Sequence, residues 1–416
     1  MSDLSQSDGE AFDILHAERR RQQTTLDLIA SENHASSAVR AAAGSVLADK
    51  YAEGYPRRRY YRGCEQIDRA EQLAIDRAKA LFGAEHANVQ PHSGTSANIA
   101  VYMAALRAGD TIMGMDLRHG GHLSHGRQAN FSGRYFNIVS YTVSEDDEML
   151  DMDALRELAK ETSPRMIVAG ASAYPRLIDF DAFGRIAEEV GAYLLADIAH
   201  IAGLVVGGAH PSPLPAATFV STTTHKTLRG PRGAMILCQR DWAAKIDSAV
   251  FPGLQGGPFM HDILAKAIAL AEAARPEFAD YARQIVANAK ALAGVLTETG
   301  WRLVTGGTDN HMMLVDLRDR DLELTGHTAS GWLASAGLIA NMNMVPFDPR
   351  PAAQASGLRF GTPAATTRGL KEPQMRQVGE WIDQVLTSRG DGDLLGRIRR
   401  QVEDLCEQFP TPDGGG

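Results

Sequence analysis

The sequence predicts an α/β protein whose larger part is a mostly parallel sheet covered by helices. Apolar runs at 166–170 (MIVAG) and 193–196 (YLLA) are typical of buried strands, and a segment with helical spacing, 181–191, lies between them. Strand, helix and strand in close succession favour parallel neighbours in one sheet. The apolar runs at 219–223 and 235–238 extend the same sheet.

Helical patterns before and after these strands predict how the chain is divided. Residues 65–82 form an amphipathic pattern that ends at Gly83. After Arg275 the pattern of apolar and polar residues changes. We predict a helix at about 277–299, a strand at 311–317, an irregular segment at 341–356 and a last helix at 372–386. Since 416 residues exceed one ordinary domain, we predict an N-terminal arm (1–20), a large α/β domain (21–275) and a small α+β domain (276–416).

Composition narrows the class of protein. Lys and Arg total 42 against 51 Asp and Glu, and the resulting net charge of −9 disfavours nucleic acid as the main partner. The sequence shows no apolar run of 18 residues and no apolar N-terminal segment of signal-peptide type, so we expect neither a membrane span nor secretion. Cys64, Cys238 and Cys406 are far apart, which argues against disulfides and metal ligation. A cytoplasmic protein is the expectation.

Lys226 and Asp197 are the first candidates for chemistry. Lys226 follows an apolar strand within STTTHKTLRGPRG, where partial desolvation would lower the pKa of its amine and favour attack on a carbonyl. Asp197 ends the run YLLAD, at the strand end where ligands bind in parallel sheets. Taken singly, a surface lysine and a helix N-cap remain alternatives. Taken together, they indicate pyridoxal phosphate, which needs a Schiff-base lysine and an acidic partner.

The segment PHSGTSAN, before an apolar helix, predicts a phosphate site. Ser93, Gly94 and Thr95 would offer hydroxyls and free backbone N–H groups at the positive end of that helix. The alternative is ordinary N-capping by Thr95 or Ser96.

Three histidines and an arginine are candidates for the other residues that line the cofactor site. His119, His122 and His125 cluster in RHGGHLSHG, and a flat ring over an aromatic cofactor is the functional interpretation. A metal site and loop histidines with satisfied hydrogen bonds are the alternatives. Arg359, between small residues in SGLRFGTPA, could bind a carboxylate through its two-pronged guanidinium, or else form a structural ion pair.

The segment 51–61 contains several tyrosines close in sequence to Glu53. The five residues Tyr51, Glu53, Tyr55, Tyr60 and Tyr61 predict an active-site wall in which Glu53 acts as acid or base. A solvated loop or a subunit contact is the alternative.

Taken together, these motifs resemble the serine hydroxymethyltransferase family, which are pyridoxal-phosphate enzymes of fold type I, the aspartate-aminotransferase fold. The resemblance runs from about residue 25 to 365. Its strings include LIASEN (28–33), DKYAEGYP (49–56), HGGHLSHG (119–126), THKTLRGPRG (224–233) and SGLRFGTPA (356–364).

The resemblance implies a role for each site residue. Lys226 would hold pyridoxal phosphate, Asp197 its ring nitrogen and His122 its ring face. The phosphate would be bound by Ser93, Gly94 and Thr95 and by Gly257 of a second subunit. The other implied cofactor, substrate and catalytic residues are Ser172, His200, Thr223, His225 and Arg232 near the cofactor, and Ser31, Arg359 and Tyr61 at the amino acid. Tyr51 and Glu53 would come from the neighbouring subunit to complete the site, and Glu53 would move a proton at the hydroxymethyl oxygen.

The resemblance also implies the reaction and the assembly. Serine and glycine would be interconverted with tetrahydrofolate as co-substrate, in a homodimer or dimer of dimers with shared active sites. The folate would lie near Tyr60, Leu117, Gly121, Leu123 and Asn343. No metal is expected.

One segment departs from the family pattern. In 341–356 this chain has Met342 and a Pro351–Ala353 stretch where the family has a cation and an aromatic residue near folate. An α-methylserine hydroxymethyltransferase, or a folate-independent aldolase acting on α-methylserine or another β-hydroxy amino acid, is therefore kept as an alternative. A protein that retained the fold but lost catalysis is the alternative from another class, although none of Lys226, Asp197 and Arg359 is eroded.

Overall fold

The computed structural model describes residues 2–412. Over this range, none of the helices combines the length and the apolar character needed to cross a membrane. The strands are β1 Leu26–Asp27, β2 Gly54–Tyr55, β3 Arg58–Arg59, β4 His86–Asn88, β5 Thr111–Met115, β6 Asn137–Tyr141, β7 Met166–Ala169, β8 Tyr193–Asp197, β9 Phe219–Thr223, β10 Ala234–Cys238, β11 Arg302–Leu303, β12 Met312–Asp316, β13 Leu338–Ile339, β14 Asn341–Asn343 and β15 Gly357–Gly361.

The helices alternate with the strands in the first two thirds of the chain and dominate the last third. They are α1 Ser2–Ser7, α2 Gly9–Thr24, α3 Ser37–Ala43, α4 Glu65–Phe82, α5 Gly94–Ala105, α6 Phe131–Tyr135, α7 Met152–Thr162, α8 Phe180–Val190, α9 Ala202–Val206, α10 Ala243–Ser248, α11 Met260–Ala273, α12 Pro276–Glu298, α13 Gly326–Ser335, α14 Pro363–Thr367, α15 Glu372–Thr387 and α16 Gly392–Gln408.

A seven-stranded sheet in the order β4-β10-β9-β8-β7-β5-β6 forms the centre of the larger part. Neighbours from β9 to β6 pair in parallel, whereas β10 is antiparallel to both β9 and β4. Because β5, β7, β8 and β9 point the same way, the segments that follow them meet at one edge of the sheet. The fold class predicted from the apolar runs is confirmed.

Both faces of this sheet are buried, which explains why its strands are apolar without alternation. Side chains of one strand point to opposite faces, so Ile167 joins the larger hydrophobic cluster and Val168 joins the cluster on the other side. Helix α8 shows how the local sequence sets the crossovers: Asp179 caps its start by accepting from Ala182 N at 2.9 Å, and Gly191, with φ of 68°, ends it.

A four-stranded antiparallel sheet in the order β11-β12-β15-β14 forms the centre of the last third. Its hydrophobic cluster includes two residues from the beginning of the chain, Leu26 and Leu28. Strand β1 also pairs in parallel with β13, placing Leu26 opposite Leu338. The segment around residue 27 is therefore part of the C-terminal packing unit.

The predicted elements agree with the structure within one or two residues, with one exception. The segment 341–356 was predicted to be irregular, which is wrong at its start, because Asn341–Asn343 pairs with β15. Several further elements were not predicted, among them β5, β6, α7, α11 and α16, the last of which buries five side chains. The division near residue 275 falls between α11 and α12 and stays a prediction, as does the arm at 1–20, most of which lies in α1 and α2.

Candidate active site

A cavity of about 500 Å³ lies at the carboxyl ends of the parallel strands. Lys226 follows β9, Asp197 ends β8 and Ser172 follows β7, while Arg359 comes from β15 of the second sheet. The cavity thus lies between the two sheets. Its lining residues are Ser31, Glu32, Ser93, Gly94, Thr95, His122, His125, Ala171, Ser172, Asp197, Ala199, His200, Thr223, His225, Lys226, Arg232 and Arg359.

Lys226 presents a buried amine to this cavity. Its side chain is 9% exposed, and desolvation lowers its pKa to about 8. This pKa already includes the carboxylate of Asp197, which raises it, and the positive charges of Arg359 and Arg232, which lower it. A substantial fraction of this amine is therefore neutral near physiological pH, and a neutral amine can attack a carbonyl.

Asp197 is a buried carboxylate held in its ionised form. Burial alone would raise its pKa, but the hydrogen bond to His125 at 2.9 Å, the charge interactions with His125 and His122 and the Asn98 hydrogen bond together outweigh burial, so the pKa is lowered. Asn98 Nδ2 donates to the same oxygen at 2.8 Å, and Oδ1 accepts from the backbone of Ala199 at 3.1 Å. Asp197 is therefore not a helix cap, since the next helix, α9, begins five residues later.

The predicted phosphate site lies at the start of α5. Ser93 is the N-cap of this helix and accepts from Ser96 N at 3.3 Å, so neither Thr95 nor Ser96 is the cap. Gly94 lies against Thr223: a Cβ at Gly94 would be 3.0 Å from the methyl carbon of that threonine. The close approach brings the helix start next to the strand that leads to Lys226.

Two histidines in the cavity are held neutral. Burial lowers the pKa of His122 to about 4, and its Nδ1 lies 2.7 Å from Ser124 Oγ. Burial also lowers the pKa of His200, whose Nδ1 lies 3.3 Å from His311 Nε2. His122, His125 and Asp197 each bring one ligand atom within 4.8 Å of the others, as a metal would require. However, Asp197 Oδ2 already accepts hydrogen bonds.

Arg359 is positioned by main-chain and amide oxygens. Its Nη1 donates to Ser172 O at 2.7 Å and its Nε donates to Asn341 Oδ1 at 3.2 Å. Burial lowers its pKa to about 10, so it stays a cation at neutral pH. No carboxylate in the described part of the chain forms an ion pair with Arg359, which weighs against the structural alternative.

The tyrosine-rich segment forms a separate cluster outside this cavity. The Tyr51 and Tyr61 ring centroids are 5.2 Å apart, and partial desolvation together with the charge of Glu53 raises the pKa of Tyr61. A Cβ at Gly257 would lie 3.1 Å from the Tyr51 ring, and one at Gly256 would lie 3.3 Å from Glu53 Oε1. Tyr51 is 55% exposed. Within one chain, these predicted site residues therefore lie next to one another, but they do not lie next to Lys226.

The residues predicted to bind folate also lie outside the cavity lining. Tyr60 is 75% exposed and its ring lies edge-on to Phe251, at 5.7 Å. Leu117 and Gly121 lie in the turn after β5, and Leu123 is exposed. Asn343, in β14, donates from Nδ2 to Met344 O at 2.6 Å.

Several residues of the site were missed by sequence reasoning. Asn98 and His125 hold Asp197, His311 contacts His200, and Asn341 holds Arg359. For His125 the signal was present, since it lies in the histidine cluster. The other three carry no clear local signal: Asn98 lies in α5, His311 directly precedes β12, and Asn341 begins β14, whose three residues include two asparagines.

Comparisons with known proteins agree with this geometry. A family model described as "Serine hydroxymethyltransferase" matches residues 4–382. A curated protein of Koribacter versatilis (strain Ellin345), named "Serine hydroxymethyltransferase", is 55% identical over 407 residues, which cover 98% of this chain and 95% of that relative. The chain belongs to the serine hydroxymethyltransferase family. The resemblance noted in the sequence is thereby confirmed, and so is its fold type, since members of this family are fold type I pyridoxal-phosphate enzymes.

Proposed function

We propose that this member of the serine hydroxymethyltransferase family interconverts serine and glycine, with pyridoxal phosphate as cofactor and tetrahydrofolate as co-substrate. One observation carries the proposal: a desolvated lysine, an ionised aspartate and a helix N-terminus face one cavity. Family membership supports the same reaction. Within the described residues, nothing in the geometry favours α-methylserine instead.

The residues of the cavity fit the cofactor. Its volume of about 500 Å³ lies within the usual range for cofactor sites. Lys226 offers an amine for the aldehyde, Asp197 a carboxylate for the ring nitrogen, and the start of α5 backbone N–H groups for the phosphate. His122 offers a flat neutral ring. When bound, pyridoxal phosphate supplies an electron-withdrawing ring that stabilises negative charge at the substrate Cα.

The chain's own residues then perform the remaining tasks. Asp197, held ionised, keeps a proton on the ring nitrogen. Arg359 binds the carboxylate of the amino acid, with Ser31 beside it on the wall of the cavity. Lys226 accepts or returns a proton near the Cα, for which a pKa of about 8 is well matched. His200 and Arg232 complete the polar wall, together with Thr223, His225 and Ser172.

We include in the proposal that a second copy of the chain completes the site. The cluster of Tyr51, Glu53 and Tyr61, with Gly257, lies outside its own cavity and exposes aromatic surface. A symmetric dimer would bring this cluster to the partner's cavity, where Glu53 would move a proton at the hydroxymethyl oxygen. Folate would then bind beside Tyr60, Leu123 and the turn after β5. A cytoplasmic location stays part of the proposal, and the three buried free cysteines are compatible with it.

The first experiment tests cofactor and reaction. The purified protein should show the visible absorbance of bound pyridoxal phosphate, and Lys226→Ala should lose it, whereas the exposed-site control Lys160→Ala should keep it. Serine cleavage, and the same assay with α-methylserine, are measured with and without tetrahydrofolate. Visible absorbance that persists in Lys226→Ala, or equal cleavage rates without folate, would contradict the proposal.

The second experiment tests the shared site. Lys226→Ala and Glu53→Gln should each be inactive alone. Mixed after subunit exchange, they should regain about a quarter of wild-type activity, because half of the dimers are mixed and each has one intact site. A mixture that stays inactive after proven exchange would show that Glu53 acts within its own chain or not at all.

A further inference from the structure

A second buried lysine lies behind the cofactor cavity. Lys266, in α11, is 2% exposed, and its Nζ donates to three main-chain carbonyl oxygens. The acceptors are Val89 O at 2.7 Å, Ala234 O at 2.9 Å and Pro91 O at 3.1 Å. Three acceptors around one nitrogen match the three N–H donors of an ammonium group, whereas a neutral amine has only two.

The charge of Lys266 is balanced by dipoles. No carboxylate of the described residues forms an ion pair with Lys266, although Asp262 and Glu71 are near enough to favour its charged form. Burial works against that form and lowers the pKa of Lys266 to about 7. The geometry resembles that of a bound monovalent cation, which carbonyl oxygens would surround in the same way.

The three carbonyls belong to the two segments that hold the cofactor. Val89 and Pro91 lead directly into Ser93 and the start of α5, and Ala234 begins β10 at the end of the loop that carries Lys226. The segments are also joined directly, since Ala234 N donates to Pro91 O at 3.0 Å. Lys266 therefore binds the backbone of both segments: the one that leads to the predicted phosphate site and the one that follows Lys226.

A glycine makes room for this contact. A Cβ at Gly233 would lie 2.4 Å from Cε of Lys266 and 2.9 Å from Nζ, which no side chain could accommodate without moving the lysine. Gly233 belongs to the Gly-Pro-Arg-Gly turn after Lys226. The turn is thus shaped to receive the ammonium group.

We propose that Lys266 is an internal cation that fixes the phosphate-binding turn relative to the Lys226 loop. It is a positioning residue, because it acts through the backbones of both segments and does not line the cavity. The inference rests on the proposed function, since it assumes that the cofactor phosphate binds at the start of α5. The inference adds to the proposed function a buried positive charge behind the cavity, which the comparisons with known proteins do not mention.

The test replaces the charge and keeps the volume. Lys266→Met should weaken pyridoxal phosphate binding by about tenfold or more, because each of the three carbonyls loses the ammonium donor and, among the described residues, only Pro91 O keeps its bond from Ala234 N. Binding is measured by titrating the cofactor-free protein and following the visible absorbance, and folding is checked by far-ultraviolet circular dichroism. Ile268→Met, two positions along the same helix, is the control and should bind as wild type does. A Lys266→Met protein with wild-type affinity would overturn the proposal.

A rescue experiment separates charge from packing. Lys266→Ala removes three side-chain carbons and the ammonium group, which n-propylammonium matches in length and charge, so this ion should restore cofactor binding, while neutral 1-propanol should not. Equal rescue by both compounds, or by neither, would contradict the inference. If Lys266→Met does not fold, the proposal is tested with Lys266→Ala expressed in the presence of n-propylammonium. If neither variant folds, Lys266 serves folding alone and the proposal is overturned. If wild type itself binds no pyridoxal phosphate, the proposed function fails instead.

Discussion

Replacing Asn33 should loosen the connection between Lys226 and the C-terminal part of the chain. Asn33 Nδ2 donates to Lys226 O at 2.9 Å and to Tyr281 Oη at 2.8 Å. Its Oδ1 accepts from Thr367 Oγ1 at 2.7 Å and from the backbone of His34 at 2.9 Å. The Asn33 side chain thus connects the LIASEN segment with α12, α14 and the loop that carries Lys226. Both of its N–H donors and both acceptor positions of its oxygen are used.

The size of the effect can be worked out from these four bonds. Asn33→Ala removes all four, each worth about 1 kcal/mol net. Tyr281 and Thr367 still bond to each other at 3.0 Å, so part of the loss is recovered, whereas Lys226 O loses its side-chain donor. We expect the free energy of unfolding in urea to fall by about 2–4 kcal/mol.

A double-mutant cycle shows whether the network exists as described. Tyr281→Phe removes the hydroxyl and keeps the ring that Arg229 covers at 4.4 Å. Asn33→Ala, Tyr281→Phe and the double variant are compared by urea unfolding. Residues that share a hydrogen bond should be coupled by about 0.5–1 kcal/mol. Fully additive effects, or a loss below about 0.5 kcal/mol for Asn33→Ala, would refute the reasoning.

Two further predictions concern pH and backbone strain. In cofactor-free protein the pKa of Lys226 is about 8, against 10.5 for a free lysine, so between these values the unfolded chain binds more protons. Stability should therefore rise from pH 8 to 10 relative to Lys226→Met, by about 2 kcal/mol. Urea unfolding would show the rise, and parallel pH curves for the two proteins would disprove it. Phe347 has φ of 56° and is 43% exposed. Phe347→Asn should thus raise stability by about 0.5–1 kcal/mol, and a thermal midpoint below wild type would count against it.

The central sheet could be predicted because each strand is short, apolar and bounded by turns. Lys226 and Asp197 could be placed for the same reason, since a polar residue directly after a buried strand lies at the ligand-binding edge. The segment at 341–343 could not be recognised as a strand, because its residues are half-buried and its neighbours are rich in proline.

The supporting residues of the site could not be predicted, because their contacts join distant parts of the chain. Asn33 bonds to residues almost 200 and 250 positions away, and Lys266 reaches carbonyls up to 177 positions away. No local pattern distinguishes Lys266 from a lysine on a helix surface. The separation of Glu53 from Lys226 within one chain agrees with the shared active site that the family resemblance implies, although no local pattern shows it.

The pairing of β1 with β13 sets an order for assembly during synthesis. Leu26 and Leu28 leave the ribosome first, yet the strand and cluster that cover them are translated roughly 300 residues later. At about 5–20 residues per second this delay is roughly 15–60 s. During that time the two leucines lack the native partners that bury them in the folded chain. A fragment that begins near residue 275 would lack this edge strand altogether, so adding a peptide covering 21–35 should be needed to make it fold.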